Sequence, residues 1–126
     1  MKTLIRSYKD LEVYKISFTL GMKIFTISKK FPKEEKYSLT DQILRSSRSI
    51  SANICEAYAK RNYSGHFVFS LIVSEAELLE TQNWLDYSFH CHYINKTLHF
   101  EMTEEYDQLL KMISKMRNQP EKWKYL

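Results

Sequence analysis

Residues 10–31 read DLEVYKISFTLGMKIFTISKKF, and the spacing of their apolar side chains indicates the fold of the chain. One apolar row recurs every three or four residues and comprises Val13, Ile16, Leu20, Ile24, Ile27 and Phe31. That spacing is the period of an amphipathic α-helix, so it predicts a first helix from about Asp10 to Phe31. Pro32 ends this helix, because a residue that precedes proline avoids the helical backbone region.

The same stretch carries a second apolar row, which a single bundle would leave exposed. This row comprises Leu11, Tyr14, Phe18, Met22 and Phe25. Two apolar rows on one helix predict that the helix buries more than one face. We therefore expect the protein to form a homo-oligomer, in which the second row packs against another copy of the chain.

The second helix is predicted to start at Ser38 and to end between Tyr58 and Arg61. Ser38 and Asp41 have the spacing of a capping box, in which side chains satisfy free backbone N–H groups at a helix start. The stripe that should face the core comprises Leu39, Ile43, Ser47, Ile50, Ile54 and Ala57. Residues 62–65, Asn-Tyr-Ser-Gly, then have the chemistry of a turn that leads into an antiparallel neighbour.

Helix three is expected to follow this turn and to end near Phe89 or His92. Thr103 is interpreted as the start of helix four, because the two glutamates that follow it would suit the N-terminal end of a helix dipole. Residues 119–126 form a tail that we expect to be loosely held. Four amphipathic helices with short connections predict an all-α, up-down-up-down antiparallel four-helix bundle over residues 1–118.

Most enzyme chemistry is missing from the sequence. With only two glycines, the chain has no phosphate-cradling or dinucleotide-binding loop. No glutamate is followed by histidine three residues later, which excludes the di-iron motif of helical bundles. His90, Cys91 and His92 form the one metal-like cluster, but neighbouring residues on a helix point to different faces. We therefore expect no cofactor, no metal and no catalytic residue.

Charge is distributed unevenly between the two halves of the chain. Residues 1–62 carry 13 Lys or Arg and 6 Asp or Glu, whereas residues 63–126 carry 6 and 9. A basic half attracts phosphate or an acidic partner, although the lysines alternatively serve only solubility. No signal peptide or membrane-spanning run is visible, and two isolated cysteines do not form a disulfide framework. A cytoplasmic location without membrane contact is the expectation.

A basic and aromatic cluster at the end of helix two is the candidate nucleic-acid-binding site. Lys60 and Arg61 precede Tyr63. Such mixtures bind single-stranded nucleic acid through phosphate contacts and base stacking, with Tyr63 as the stacking residue here. Arg45 and Arg48, earlier on helix two, are the next candidates for phosphate contacts.

Polar residues also recur on one face of helix two, namely Arg45, Ser49, Asn53 and Glu56. They form either a contact to a ligand or a hydrogen-bonded layer that sets the register of the bundle. Buried polar groups need partners, and Gln82 on helix three is a suitable one. We favour the structural layer, composed of Ser49, Asn53, Glu56 and Gln82.

Several motifs together resemble one bacterial protein family. They are KDLEVY at 9–14, FPKEEKYSLTDQ at 31–42, the helix-two residues Arg45, Ser49-Ile50, Asn53-Ile54 and Glu56, and the helix-three residues Glu77-Leu78 and Glu80-Thr81-Gln82. Over about residues 8–118, this pattern is similar to the four-helix-bundle proteins encoded in intervening sequences of 23S rRNA genes. That family includes the accessory variability determinant of diversity-generating retroelements.

The resemblance implies a ring-like homopentamer with a basic surface, in a family whose other members mostly have no established activity. The retroelement members bind nucleic acid and a reverse transcriptase, so RNA, DNA and a reverse transcriptase become expected partners. The alternative is a scaffold for protein–protein interaction, such as a polymerase-associated accessory subunit. Two departures from the family pattern occur: the first implies a helix contact that tolerates a methyl group or is shifted, and the second weakens the transfer of nucleic-acid binding. Ala57 stands where the family usually has glycine, and the family's basic run after helix two is reduced to Lys60-Arg61.

Overall fold

The computed structural model describes residues 4–126, and these residues form helices, turns and loops without a strand. The long helices are α1 (Glu12–Ser28), α2 (Leu39–Ala59), α3 (Ser64–His90) and α4 (Lys96–Arg117). Helix α1 packs against α2 and α4, and α3 packs against the same two helices. Helices α1 and α3 therefore occupy opposite corners of the bundle. The predicted all-α, up-down-up-down four-helix bundle is confirmed.

The core includes the stripes that the helical period predicted for the first two helices. Each long helix contributes an inward row of side chains that are almost completely buried. The most deeply buried members are Leu20, Ile24, Ile43, Ile50, Ile54, Ala57, Phe67, Leu71, Leu78, Leu85, Tyr106, Leu109 and Ile113. Because these side chains come from all four helices, the chain forms one continuous hydrophobic core.

Buried hydroxyl groups cross the contact between α2 and α3, which is the most extensive helix pair of the bundle. The Oγ1 atom of Thr81 lies 2.8 Å from the Oγ atom of Ser46. Ser74 Oγ donates a hydrogen bond of 2.9 Å to the main-chain oxygen of Ile50. Because a buried hydroxyl without a partner is costly, these bonds favour one register of α3 along α2.

Helix α4 begins seven residues before the predicted start at Thr103. The side chain of Asn95 accepts a hydrogen bond of 2.8 Å from the backbone N–H of Leu98, and the helix starts at Lys96. An asparagine cap satisfies a backbone donor that the first helical turn leaves free. The glutamates after Thr103 therefore lie within the helix instead of in its first turn.

Two other predicted helix ends also differ from the structure. Helix α1 ends at Ser28, and the chain then turns while the side chain of Phe31 stays buried. Ser38 does precede α2, but its side chain makes no hydrogen bond to the helix backbone. It donates instead to the carboxylate of Glu35, so the predicted capping box with Asp41 is not formed.

The C-terminal tail contacts the turn between α2 and α3, whereas the sequence suggested a loosely held segment. Residues Pro120–Trp123 form a short helix, α5. Arg61 Nε donates a hydrogen bond of 2.8 Å to the main-chain oxygen of Leu126. The side chain of Asn62 accepts one of 2.8 Å from the backbone N–H of Tyr125. These long-range bonds hold the tail against the body of the bundle.

Candidate functional site

The turn between α2 and α3 carries the predicted cluster of Lys60, Arg61 and Tyr63. Lys60 is exposed and forms no ion pair with another described side chain, and the Tyr63 ring is 68% exposed. The guanidinium carbon of Arg61 lies 4.0 Å from the centroid of the Tyr58 ring, and its Nη1 donates to the main-chain oxygen of that residue. Arg61 also binds the tail at Leu126. Lys60 and Tyr63 are thus available to a ligand, while Arg61 has internal partners.

The structure separates this cluster from the other predicted phosphate ligands. Arg48 lies twelve positions before Lys60, a distance of roughly 18 Å along a helix. Arg45 is exposed, and its Nε donates to both carboxylate oxygens of Asp41 at 2.9 and 3.1 Å. The five predicted nucleic-acid ligands therefore occupy two areas of the molecule.

Arg45 and Arg48 line a shallow surface groove of about 520 Å³ between α2 and α3. Glu77 and Glu80 stand on the α3 side of this groove. Burial, and then the neighbouring charge of Glu80, raise the pKa of the Glu77 carboxyl above its usual value. The other lining residues are Gln42, Ser49 and Ala52. Because two arginines face two carboxyl groups, the groove has little net positive charge.

Of the polar layer proposed for α2 and α3, the structure joins only Ser49 and Asn53, because Asn53 Nδ2 donates to Ser49 Oγ over 3.1 Å. Asn53 Nδ2 donates a hydrogen bond of 2.8 Å to the main-chain oxygen of Ser49, on the same helix. Glu56 is exposed. Gln82 faces α4, where its Nε2 donates to Asp107 Oδ1 over 2.7 Å. The hydroxyl groups of Ser46, Ser74 and Thr81 provide the buried polar contacts between α2 and α3 instead.

Glu75 is a largely buried carboxylate whose hydrogen-bond partners could not be predicted from the sequence. Its side chain is only 14% exposed. It accepts a hydrogen bond of 2.6 Å from Ser114 Oγ and another from Arg117 Nε, both on α4. A carboxylate with these two partners is satisfied, so its geometry indicates a structural link between α3 and α4.

The outer face of α3 is apolar, a feature that the sequence analysis missed. We define the α3 stripe as Phe69, Ile72, Ala76 and Leu79. Phe69 is 65% exposed, Ile72 45% and Leu79 53%, and Ala76 is also exposed. Their spacing of three, four and three residues would have shown a second face. Because α3 is apolar towards solvent as well as towards the core, it has the pattern of a helix buried on both sides.

In the predicted second row of α1, Leu11 is buried in the core of the single chain, so its predicted exposure is wrong, whereas the other four members reach the surface. We define the α1 row as Tyr14, Phe18, Met22 and Phe25. Phe18 and Met22 are about half exposed, whereas Tyr14 and Phe25 are half-buried. The rings of Tyr14 and Phe18 are stacked, with their centroids 6.0 Å apart. The α1 row and the α3 stripe lie on opposite corners of the bundle.

The described residues contain neither a cluster of metal-ligating side chains nor a helix suited to span a membrane. Among residues 4–126, no three His, Cys, Asp or Glu side chains are grouped closely enough to hold a metal ion. His90 ends α3, and His92 adopts a left-handed backbone conformation with φ of 65°. None of the helices in the same range has the length and apolarity needed to cross a membrane.

Comparisons with known proteins agree on one family. The profile of the family described as 23S rRNA-intervening sequence protein matches residues 9–115. Among solved structures, the chain is similar to a protein with unknown function from the S23 ribosomal protein family of Bacteroides thetaiotaomicron VPI-5482. The two chains are 26% identical and have a TM-score of 0.76, over 84% of this chain and 95% of the other. No curated protein matches.

Proposed function

Because this chain belongs to the 23S rRNA-intervening sequence protein family, we propose that it is a non-enzymatic homo-oligomer that binds nucleic acid. The observation that carries the homo-oligomer in this proposal is the exposed α3 stripe, in which Phe69 and Leu79 are more than half exposed. Large contiguous apolar surfaces on soluble proteins are typical of interaction sites. A second exposed row on α1 adds a matching surface within the same chain.

The positions of the two apolar surfaces favour a ring over a simple two-fold dimer. Contact between the α1 row of one subunit and the α3 stripe of the next joins two different surfaces, which makes the interface heterologous. Heterologous contacts form closed rings when the rotation between subunits closes. The α1 row comes from the half of the sequence with net positive charge, and the α3 stripe comes from the half with net negative charge. A homopentamer is our expectation for the closed ring.

Lys60 and Tyr63 are the first candidates for contact with RNA or DNA. Both side chains are exposed, and they lie beside each other at one end of the bundle. A ring repeats each such patch, so several weak contacts act on one strand at high effective concentration. The free thiols of Cys55 and Cys91 suit a reducing compartment, and we place this activity in the cytoplasm.

Light scattering tests the oligomer directly. Wild-type protein should have a mass several times that of one 15.2 kDa chain, with a pentamer at about 76 kDa. Phe69→Ser combined with Leu79→Ser should shift the mass towards one chain. Phe100→Ser is the matched control, because Phe100 is 63% exposed but lies on α4, outside both surfaces. A wild-type mass near 15 kDa, or a double variant that stays oligomeric, would contradict the proposal.

Fluorescence anisotropy at two salt concentrations tests nucleic-acid binding. Phosphate contacts release counterions, so the affinity of the wild type for a labelled RNA or DNA should fall steeply as salt increases. Lys60→Glu should weaken binding and flatten the salt dependence while leaving the oligomer intact. Lys111→Glu makes the same charge change at an exposed site on α4 and should have a smaller effect. If Lys60→Glu and Lys111→Glu lose equal affinity, Lys60 has no specific role in nucleic-acid binding.

The second candidate function is a scaffold for a different protein, such as a reverse transcriptase or another polymerase. It is favoured by the same exposed α3 stripe, since an apolar surface binds protein more readily than nucleic acid. Wild-type protein that remains monomeric, but captures a polymerase through the α3 stripe, would support this function. In that case the Phe69→Ser and Leu79→Ser variant should lose the polymerase and keep its mass.

A further inference from the structure

A cavity of about 400 Å³ opens at the end of the bundle opposite Lys60. Three aromatic side chains surround it, namely Tyr37 from the connection before α2 and Trp84 and Tyr87 from the last turns of α3. The other lining residues are Glu35, Ser38, Leu39, Gln42 and Cys91. None of these aromatic residues was predicted to belong to a site.

The rings of this cavity present open faces, although aromatic side chains usually seek burial. Tyr37 is 85% exposed and Tyr87 is 55% exposed. The centroids of Trp84 and Tyr87 are 5.8 Å apart, and the indole N–H of Trp84 donates to Glu80 over 3.4 Å. These contacts hold two rings in place, so a planar ligand would meet a surface that is already formed. Stacking on exposed rings is the main mode by which proteins bind unpaired bases.

Positive charge lies beside the cavity in the connection from α1 to α2. Four exposed lysines occur there, and none forms an ion pair with another described side chain: Lys29, Lys30, Lys33 and Lys36. The ammonium group of Lys36 lies 5.3 Å from the centroid of the Tyr37 ring. This charge suits phosphates that flank a base stacked on the same ring.

Two carboxylates of the same region have different surroundings. Glu34 is exposed, whereas the carboxylate of Glu35 accepts hydrogen bonds from Ser38, Tyr93 and the backbone N–H of Leu39. Bonds from Ser38 and Tyr93 hold the pKa of the Glu35 carboxyl below its usual value. These bonds keep Glu35 negatively charged, so the four exposed lysines of the connection face two carboxylates and still outnumber them.

We infer that this cavity binds an unpaired base of single-stranded RNA or DNA, which stacks on Tyr37 and Trp84. Lys33 and Lys36 neutralise the flanking phosphates, and the exposed amide of Gln42 offers a donor and an acceptor to the edge of the base. Gln42 also lines the groove that contains Arg45 and Arg48, so the cavity and this groove adjoin. The inference rests on the proposed nucleic-acid function and adds a preference for unpaired strands.

Anisotropy titrations with a single-stranded 12-nucleotide probe, and with the duplex of the same sequence, test the inference. Tyr37→Ala should weaken binding of the single strand about tenfold and change duplex binding little, because only an unpaired base can stack in the cavity. Trp84→Ala should act in the same direction. Tyr37 is almost fully exposed, so its removal leaves the fold intact even if the Trp84 variant is unstable. Phe100→Ala, an exposed aromatic on α4, is the matched control.

Two spectroscopic and chemical measurements locate the bound base. In a Trp123→Phe background, the single strand should quench Trp84 fluorescence and the duplex should not. In a Cys55→Ser background, bound single strand should slow alkylation of Cys91, which is exposed and lines the cavity. A Cys91 thiol that is unreactive in the free oligomer would show that a neighbouring subunit covers the cavity, and would overturn the inference.

The outcomes separate this inference from the function on which it rests. If wild-type protein binds neither probe at low salt, both the nucleic-acid function and the base site fail. If both probes bind, and Tyr37→Ala binds the single strand as tightly as the wild type, the base site alone fails. If single-strand affinity falls in Tyr37→Ala but not in Phe100→Ala, the cavity is the base-binding site.

Discussion

Replacing Ile54 by alanine should lower the stability of the bundle substantially. The Ile54 side chain is completely buried in the C-terminal half of α2, among the residues of the continuous core. The change deletes three carbon atoms, and the lost burial costs about 0.8 kcal/mol for each. The cavity that remains adds a further penalty, because the surrounding helices close it only partly. We expect a total loss of about 3–4 kcal/mol in the free energy of unfolding.

Thermal and urea unfolding, followed by circular dichroism at one fixed protein concentration, measure this loss. For a chain of this length, about 3–4 kcal/mol corresponds to a decrease in Tm of roughly 10–15 °C. Leu4→Ala is the matched control, since it also deletes three carbon atoms but at a side chain that is 67% exposed. The oligomeric state of each variant is measured in parallel, because association changes apparent stability. If the Tm of Ile54→Ala lies within about 2 °C of the wild-type Tm, the assignment of Ile54 to the inward face of α2 is wrong.

Two further predictions concern the polar contacts that end and connect the helices. Asn95→Ala removes the hydrogen bond that the Asn95 side chain accepts from the Leu98 N–H. The free energy of unfolding, measured by urea titration, should fall by about 1 kcal/mol. An unchanged free energy of unfolding would contradict a helix start at Asn95. Hydrogen bonds from Ser38 and Tyr93 lower the pKa of Glu35 below its reference of 4.5, so this group contributes stability above that pH and loses it as pH falls through the folded-state pKa. The Tm of Glu35→Gln should therefore fall less than that of the wild type between about pH 5 and pH 3. If the Tm of both proteins falls equally over this range, ionised Glu35 does not stabilise the fold.

The repeating apolar pattern was sufficient to predict the four helices and most of their inward faces. The stripes of α1 and α2 lie in the core as expected, because a side chain's position around a helix follows directly from its place in the 3.6-residue period. The helix ends were less predictable. The two glutamates after Thr103 predicted a start of α4 at Thr103. In the structure the single capping residue Asn95 starts the helix seven residues earlier.

Tertiary structure alone decided which distant side chains meet. Arg61 binds Leu126, and Gln42 and Trp84 line one cavity, although the members of each pair are far apart in the sequence. Arg48 lies within α2 and Lys60 follows the end of this helix, so the two stand at different levels of the bundle and the predicted basic residues do not form one patch. The period of the apolar residues predicts which face of each helix turns inward. It does not predict how far one helix is shifted along the axis of its neighbour. That offset is set by side chains packing across the core, and it determined both the α2–α3 contacts and the aromatic cavity.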